Sequence, residues 1–173
     1  MSLTVEDGSL PDAANSYVSV SDTRIFAAER GLTLPAAGAP GDAAIEVLLI
    51  KAMDYIEALR AEFQGSKLSA AQVLQWPRSG VSVDGFAVAT TAIPDVLPKA
   101  QAQLACDAYT LGTLAPIGDG RVVIEERVEG AVDVKYADHG DSNPQPQLTA
   151  ARALLAPLLV GGGSTGYGIS VRV

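Results

Sequence analysis

The sequence predicts a mainly α fold of the α+β kind: a small helical bundle that carries one β-hairpin and extended terminal arms. Three observations predict it. Apolar residues recur at spacings of three and four over several segments, which places them along one side of a helix. One segment, residues 121–136, switches to apolar residues at alternate positions, the period of a strand. Both ends of the chain are rich in Gly and small polar residues and lack the helical period.

The elements follow in chain order. Residues up to about Tyr17 are rich in Asp, Gly, Pro and Asn and read as an arm. Ser19-Val20-Ser21-Asp22 has the form of a helix start, in which the serine hydroxyl accepts from an orphan amide. That helix runs to Arg30 and stops at Gly31, and the Pro- and Ala-rich residues 32–41 form a loop. The plainest helix covers residues 42–63, with Asp42 as its N-cap. Ile45, Leu48, Leu49, Ala52, Ile56, Leu59 and Phe63 form its buried stripe.

A short helix over 69–75 is expected next, capped by Ser69 and halted by Pro77. Trp76-Pro77-Arg78-Ser79-Gly80 is a turn around the single tryptophan, and Asp84-Gly85 marks another. Residues 94–114 make a long helix whose inner face is Val96, Ala100, Leu104, Ala108 and Leu111, with Pro98 delaying or kinking its start. Residues 121–136 form a hairpin around Glu129-Gly130, which needs helices or another chain to pack on. After a polar loop, a last helix covers 147–159 with Leu148, Ala151, Leu155 and Leu158 inward.

Residues 161–166 are a linker by composition and lead to Ile169, Val171 and Val173, which alternate like a strand. The division expected is therefore a helical domain over 1–160 and a Gly-rich linker with a strand-like arm over 161–173. Such an arm suits addition to a partner's sheet edge.

Composition narrows the function. The chain has 173 residues, 48% of them hydrophobic and 18% charged, which is a globular balance for one domain. Its formal net charge is −8, and its basic residues are scattered singly. An acidic chain is repelled by a phosphate backbone, so gripping DNA is disfavoured. A channel wall that DNA slides past is a different case, because repulsion there prevents sticking.

The N-terminus lacks the basic start and apolar run of a signal peptide. The most apolar window, residues 45–56, carries Glu46, Lys51 and Asp54 and is no membrane span. A soluble chain made in a cytoplasm is the expectation.

Little in the sequence carries chemistry, and no enzyme, cofactor or metal is expected. Cys106 and His139 are each the single residue of their kind, so an internal disulfide and a Cys/His metal cluster within one chain are ruled out. Asp138-His139-Gly140-Asp141-Ser142 offers acid, imidazole and hydroxyl, but neighbouring loop side chains diverge rather than converge. The glycines at 161 and 166 have the spacing of a phosphate loop, yet Tyr167 stands where its lysine belongs. Glu125-Glu126 and the Asp138/Asp141 pair match no calcium loop. Cys106 reads as a buried structural thiol. Trp76 could stack a base, but one Trp with one Arg in an acidic protein is a poor platform, and a core or interface anchor is the better reading.

An ordered set of motifs carries a resemblance over residues 3–159. Val5-Glu6-Asp7-Gly8 opens it, followed by Ala14-Asn15-Ser16-Tyr17-Val18-Ser19 and Ala52-Met53-Asp54-Tyr55-Ile56. Leu74-Gln75-Trp76-Pro77-Arg78-Ser79-Gly80-Val81, Asp84-Gly85, Ile93-Pro94, Lys99-Ala100 and Leu104-Ala105 complete it. The chain resembles a family of tailed-phage and prophage proteins often labelled DnaT-like single-stranded DNA-binding proteins, a family similar to the phage head–tail connector (adaptor) group.

The resemblance implies a homo-oligomeric ring of about twelve copies. That ring would sit in the virion between the portal and a tail-side neck or tail-terminator protein, lining a channel for passing double-stranded DNA. The label implies instead a replication protein that binds single-stranded DNA. Charge favours the adaptor, for which Trp76, Pro77, Arg78, Ile169, Val171 and Val173 are the candidate interface residues.

Overall fold

A computed structural model describes residues 3–114, 123–128, 132–136 and 148–161. Helix α1 (Val20–Glu29) begins as its sequence predicts: Ser19 Oγ accepts from the Asp22 amide at 3.1 Å and also meets the Asp22 carboxylate at 2.6 Å. Helix α2 (Ala39–Ala58) begins earlier than its sequence suggests, with Gly38 as N-cap and Pro40 in the first turn, where a missing N–H costs nothing. Asp42 is therefore not the cap. Its carboxylate sits one turn in and accepts from Arg24 Nε at 3.0 Å and from Nη2, tying α1 to α2. Arg24 also donates to the carbonyls of Pro35 and Ala36, so one guanidinium organises the whole connection. The predicted stripe of α2 is buried throughout, although Leu59 and Phe63 reach the core from the chain beyond the helix.

Residues 69–75 form turns and not the expected helix. Ser69 does act as a local cap, accepting from the Ala71 amide, but Gln72 then redirects the chain. Its side chain accepts from Leu68 N and donates to the carbonyls of Leu74 and Pro77, bonds that hold turns where helix ladders would run. Two short antiparallel pairs frame this region: β1 (Ser66–Lys67) with β2 (Arg78–Ser79), and β3 (Ser82–Val83) with β4 (Phe86–Ala87). The second is a tight hairpin whose turn residues, Asp84 at φ 52° and Gly85 at φ 85°, both take the left-handed backbone that a two-residue loop requires.

Helix α3 (Val96–Leu111) is the axis of the fold and packs against α1, α2 and α4 (Thr149–Leu155). The single inner face expected for it is too narrow. Leu97, Ala100, Gln101, Ala102, Leu104, Ala105, Cys106 and Ala108 are all buried, whereas Val96 is half-buried and Leu111 is 49% exposed. A helix packed on three sides has apolar or small residues around most of its circumference, and the alanines let each neighbour come close. Pro98 lies in its first turn without interrupting it. Full burial of Leu97 and Leu104 contributes on the order of 1.5–3 kcal/mol each.

Between α3 and α4 stand β5 (Val123–Val128) and β6 (Val132–Tyr136), the antiparallel hairpin read from the sequence. Helix α4 buries Leu148, Ala151, Leu155 and Leu158 as predicted, but is shorter than 147–159. It tightens into a 3-10 turn (Ala156–Leu158) at Pro157. Leu159 then bridges antiparallel to Phe63, with Gln64 N donating to Leu158 O at 2.9 Å and Val160 N to Glu62 O at 2.7 Å. A helix-dominated α+β domain is thus the fold. The linker and strand-like arm, including Ile169, Val171 and Val173, lie outside the described residues apart from Gly161.

Candidate functional site

The motif residues of the N-terminal arm, α2, α3 and the Trp-Pro-Arg turn converge on one buried polar network. Thr4, Glu6, Asn15 and Ser16 pair the two limbs of the arm, with Glu6 N donating to Ser16 O at 2.8 Å. The Glu6 carboxylate turns inward and accepts from the amides of Gly8 and Leu10, which shapes the loop between the limbs. This delivers Ser16 and Tyr17 to α3. There Gln101 Oε1 accepts from Tyr17 N at 2.7 Å, and Gln101 Nε2 donates to Ser16 Oγ and to Leu49 O at 2.9 Å each. One fully buried amide side chain of α3 therefore joins the arm, α2 and α3, and is fully used in doing so.

Tyr17 carries the network onward. Its hydroxyl donates to Glu57 Oε1 at 2.8 Å and accepts from Trp76 N at 3.2 Å, while the same Glu57 oxygen accepts from Gln75 N at 2.9 Å. Trp76 is 0% exposed, its ring set edge-on to Phe63 with centroids 5.7 Å apart. The Trp76–Pro77 peptide is cis, and Pro77 is fully buried as well. Arg78 follows them inward: Nε donates to Gln64 O and Nη2 to Gly65 O at 2.7 Å each, Nη1 to Gln75 Oε1 at 3.1 Å, and the guanidinium lies 5.8 Å from the Phe63 ring centre. Of the two readings left open for Trp76, core and interface, the residue takes the core. Trp76, Pro77 and Arg78 form an internal joint that offers no surface to a partner in this conformation.

Burial sets the ionisation of these groups. The Tyr17 phenol is held well above its ordinary range, first by desolvation and then by the Glu57 carboxylate. Desolvation, with Asp107 adding to it, pushes the Cys106 thiol up to about 11. Desolvation also lowers the pKa of Arg78 and raises that of Asp107. The unfolded chain releases Cys and Tyr protons near pH of about 8.5 and 10, where the folded chain still holds them. The stability they contribute is fully present below about pH 8 and is lost as pH rises through the folded values. Urea unfolding followed from pH 8 to pH 11 (approximate limits of this window) is expected to show a falling midpoint, and Tyr17→Phe or Cys106→Ala to flatten that slope.

The outer surface shows what the chain presents instead. Four of the described cations are held by neighbours: Arg24 and Arg78 are spent internally, Arg30 pairs with Glu29 and lies over Phe26, and Arg152 donates to Tyr55. A groove of about 280 Å³ runs between α1 and α3, floored by Phe26, Pro98 and Ala102 and rimmed by Asp22, Glu29 and Lys99. Its mixed-sign rim gives no preference for phosphate. Phe86, at the β3–β4 turn, is 79% exposed, a residue that the sequence reading of Asp84-Gly85 as a turn does not single out. Among the described residues no group of three or more His, Cys, Asp or Glu side chains could hold a metal, and no helix is long and apolar enough to cross a membrane. His139, Glu125-Glu126 and the Asp138/Asp141 pair have no described side chains.

Fold and network together define a small helix-dominated domain whose distinctive motif residues are spent on holding the N-terminal arm and the Trp-Pro-Arg turn against three helices. The chain belongs to the family described as "Putative DnaT-like ssDNA binding protein", whose family model matches residues 1–173. Comparison with curated proteins and with solved structures gave no match.

Proposed function

We propose that this chain is a non-catalytic structural subunit, an adaptor that assembles as a ring of about twelve copies at the head–tail joint of a tailed phage virion. Portal and a tail-side neck or terminator protein are its partners, and double-stranded DNA passes its channel without being held. The observation that carries this reading is the inward folding of the Trp76–Arg78 element in a chain of net charge −8. The aromatic and the cation best placed in sequence to grip a nucleotide are occupied by Phe63, Gln64, Gly65 and Gln75. An adaptor needs only interfaces, and an acidic wall suits a channel through which DNA must slide. The arm at Ile169, Val171 and Val173 is the candidate grip on a neighbour or the portal.

Binding of single-stranded DNA is the second reading, favoured by the family's description and by the exposed Phe86 ring, which has the form of a stacking residue. One measurement separates them. Fluorescence anisotropy of a labelled oligonucleotide, titrated with the chain at low salt, is expected to show no binding. Saturable binding that weakens with salt and falls severalfold in Phe86→Ala would overturn the adaptor in favour of the DNA reading.

A further inference from the structure

The β5–β6 ribbon is a two-stranded sheet. Its strands pair with each other, and among the described residues neither contacts any other element. A lone two-stranded ribbon is marginal in water; among the described residues no third strand pairs with either outer edge, and an edge of that kind can take up another strand. The register sets Glu125 opposite Lys135, Arg127 opposite Asp133 and Val128 opposite Val132.

Laid side by side, such ribbons repeat their own complementarity. With β6 of one copy antiparallel to β5 of the next in this register, one row reads Glu125, Lys135, Glu125, Lys135. Another reads Arg127, Asp133, Arg127, Asp133, so each of these positions has an unlike charge on both sides. Unlike pairs across strands contribute about 0.2–1 kcal/mol each, and like pairs oppose pairing. A slip of two residues, the smallest that keeps each residue on its own face, sets Arg127 opposite Lys135 in one direction and Glu125 opposite Asp133 in the other. Within the β6-on-β5 arrangement the charge pattern therefore favours this register over slips of two residues.

We propose that ribbons of neighbouring copies of this chain pair edge to edge, β6 on β5, into a sheet that continues from subunit to subunit. The strand contact needs only self-association; its closure into a ring rests on the adaptor reading above. Two single-cysteine variants test it, Val128→Cys and Val132→Cys, since the native Cys106 is buried in the helical core. In head-to-tail ribbons a residue's own counterpart lies two strands away, roughly 9–10 Å, beyond disulfide reach, whereas 128 and 132 of adjacent copies face each other across one strand spacing.

Mild oxidation of the mixed variants is expected to give intermolecular disulfide at least tenfold above either variant alone, with the oligomer followed by sedimentation. Glu125→Lys and Lys135→Glu give a second readout: each alone loses association, and mixing restores it, because unlike charges then meet only between copies. An oligomer without the mixed cross-link overturns the ribbon pairing and leaves the adaptor reading standing. Cross-links within a single-variant sample report a two-fold pair of ribbons and overturn the head-to-tail arrangement. A chain that stays monomeric overturns both the pairing and the ring.

Discussion

Trp76→Ala is expected to cost about 3–5 kcal/mol, the range for removing a large aromatic from a packed core. A domain of this size has on the order of 5–15 kcal/mol to lose, so the variant is expected to be partly unfolded at 37 °C or barely folded. Urea unfolding followed by circular dichroism measures it without relying on the missing indole. The size of the effect follows from the surroundings. Trp76 is fully buried against Phe63, and its backbone amide is fixed by Tyr17, so the ring cannot be replaced by a collapse of one loop alone. A cost below about 1 kcal/mol would mean that the indole is not in the core at all. Any loss of a surface activity in this variant must therefore be set against the folded fraction before it is read as lost stacking.

Arg78→Lys is the second large effect, and it keeps the charge. The guanidinium fork reaches three acceptors, Gln64 O, Gly65 O and Gln75 Oε1, from one planar group. A lysine ammonium on a flexible stem cannot match that geometry and leaves carbonyls in the joint without their donor. The expected loss is about 2–4 kcal/mol, read as a lower urea midpoint, against the near-neutral result of the same exchange at an exposed phosphate contact. Stability therefore separates a structural arginine from a nucleic-acid contact without any nucleic acid present.

Local signals were legible where local chemistry decides. Ser19, Gly31, the α2 stripe, Asp84-Gly85 and the inward leucines of α4 all depend on residues within a turn or two of one another. Residues 69–75 carry a misleading helix signal because the cues from Ser69 and Pro77 are local, while the Gln72 side chain that overrides them bonds across the whole turn. Asp42 looked like a cap because Pro40 hides the true start of α2. Periodicity marks only one face of α3 because it cannot show that a helix has neighbours on three sides. The Tyr17–Glu57–Trp76 and Gln101–Ser16–Leu49 links join residues far apart in the chain, and no spacing rule reaches them. Two polar residues in the apolar run of α3, Gln101 and Gln103, were the one visible trace.

The bridge between Phe63 and Leu159 also gives the domain a load path. Any tension applied through the residues that follow Gly161 reaches the body by two routes at once: along the covalent chain into α4, and sideways through the paired backbones at Glu62 and Gln64. The sideways route ends on Phe63, which is braced by Trp76 on one side and Arg78 on another. Tension entering there would thus be shared between the last helix and the Phe63–Trp76–Arg78 joint, through two backbone hydrogen bonds as well as the covalent chain.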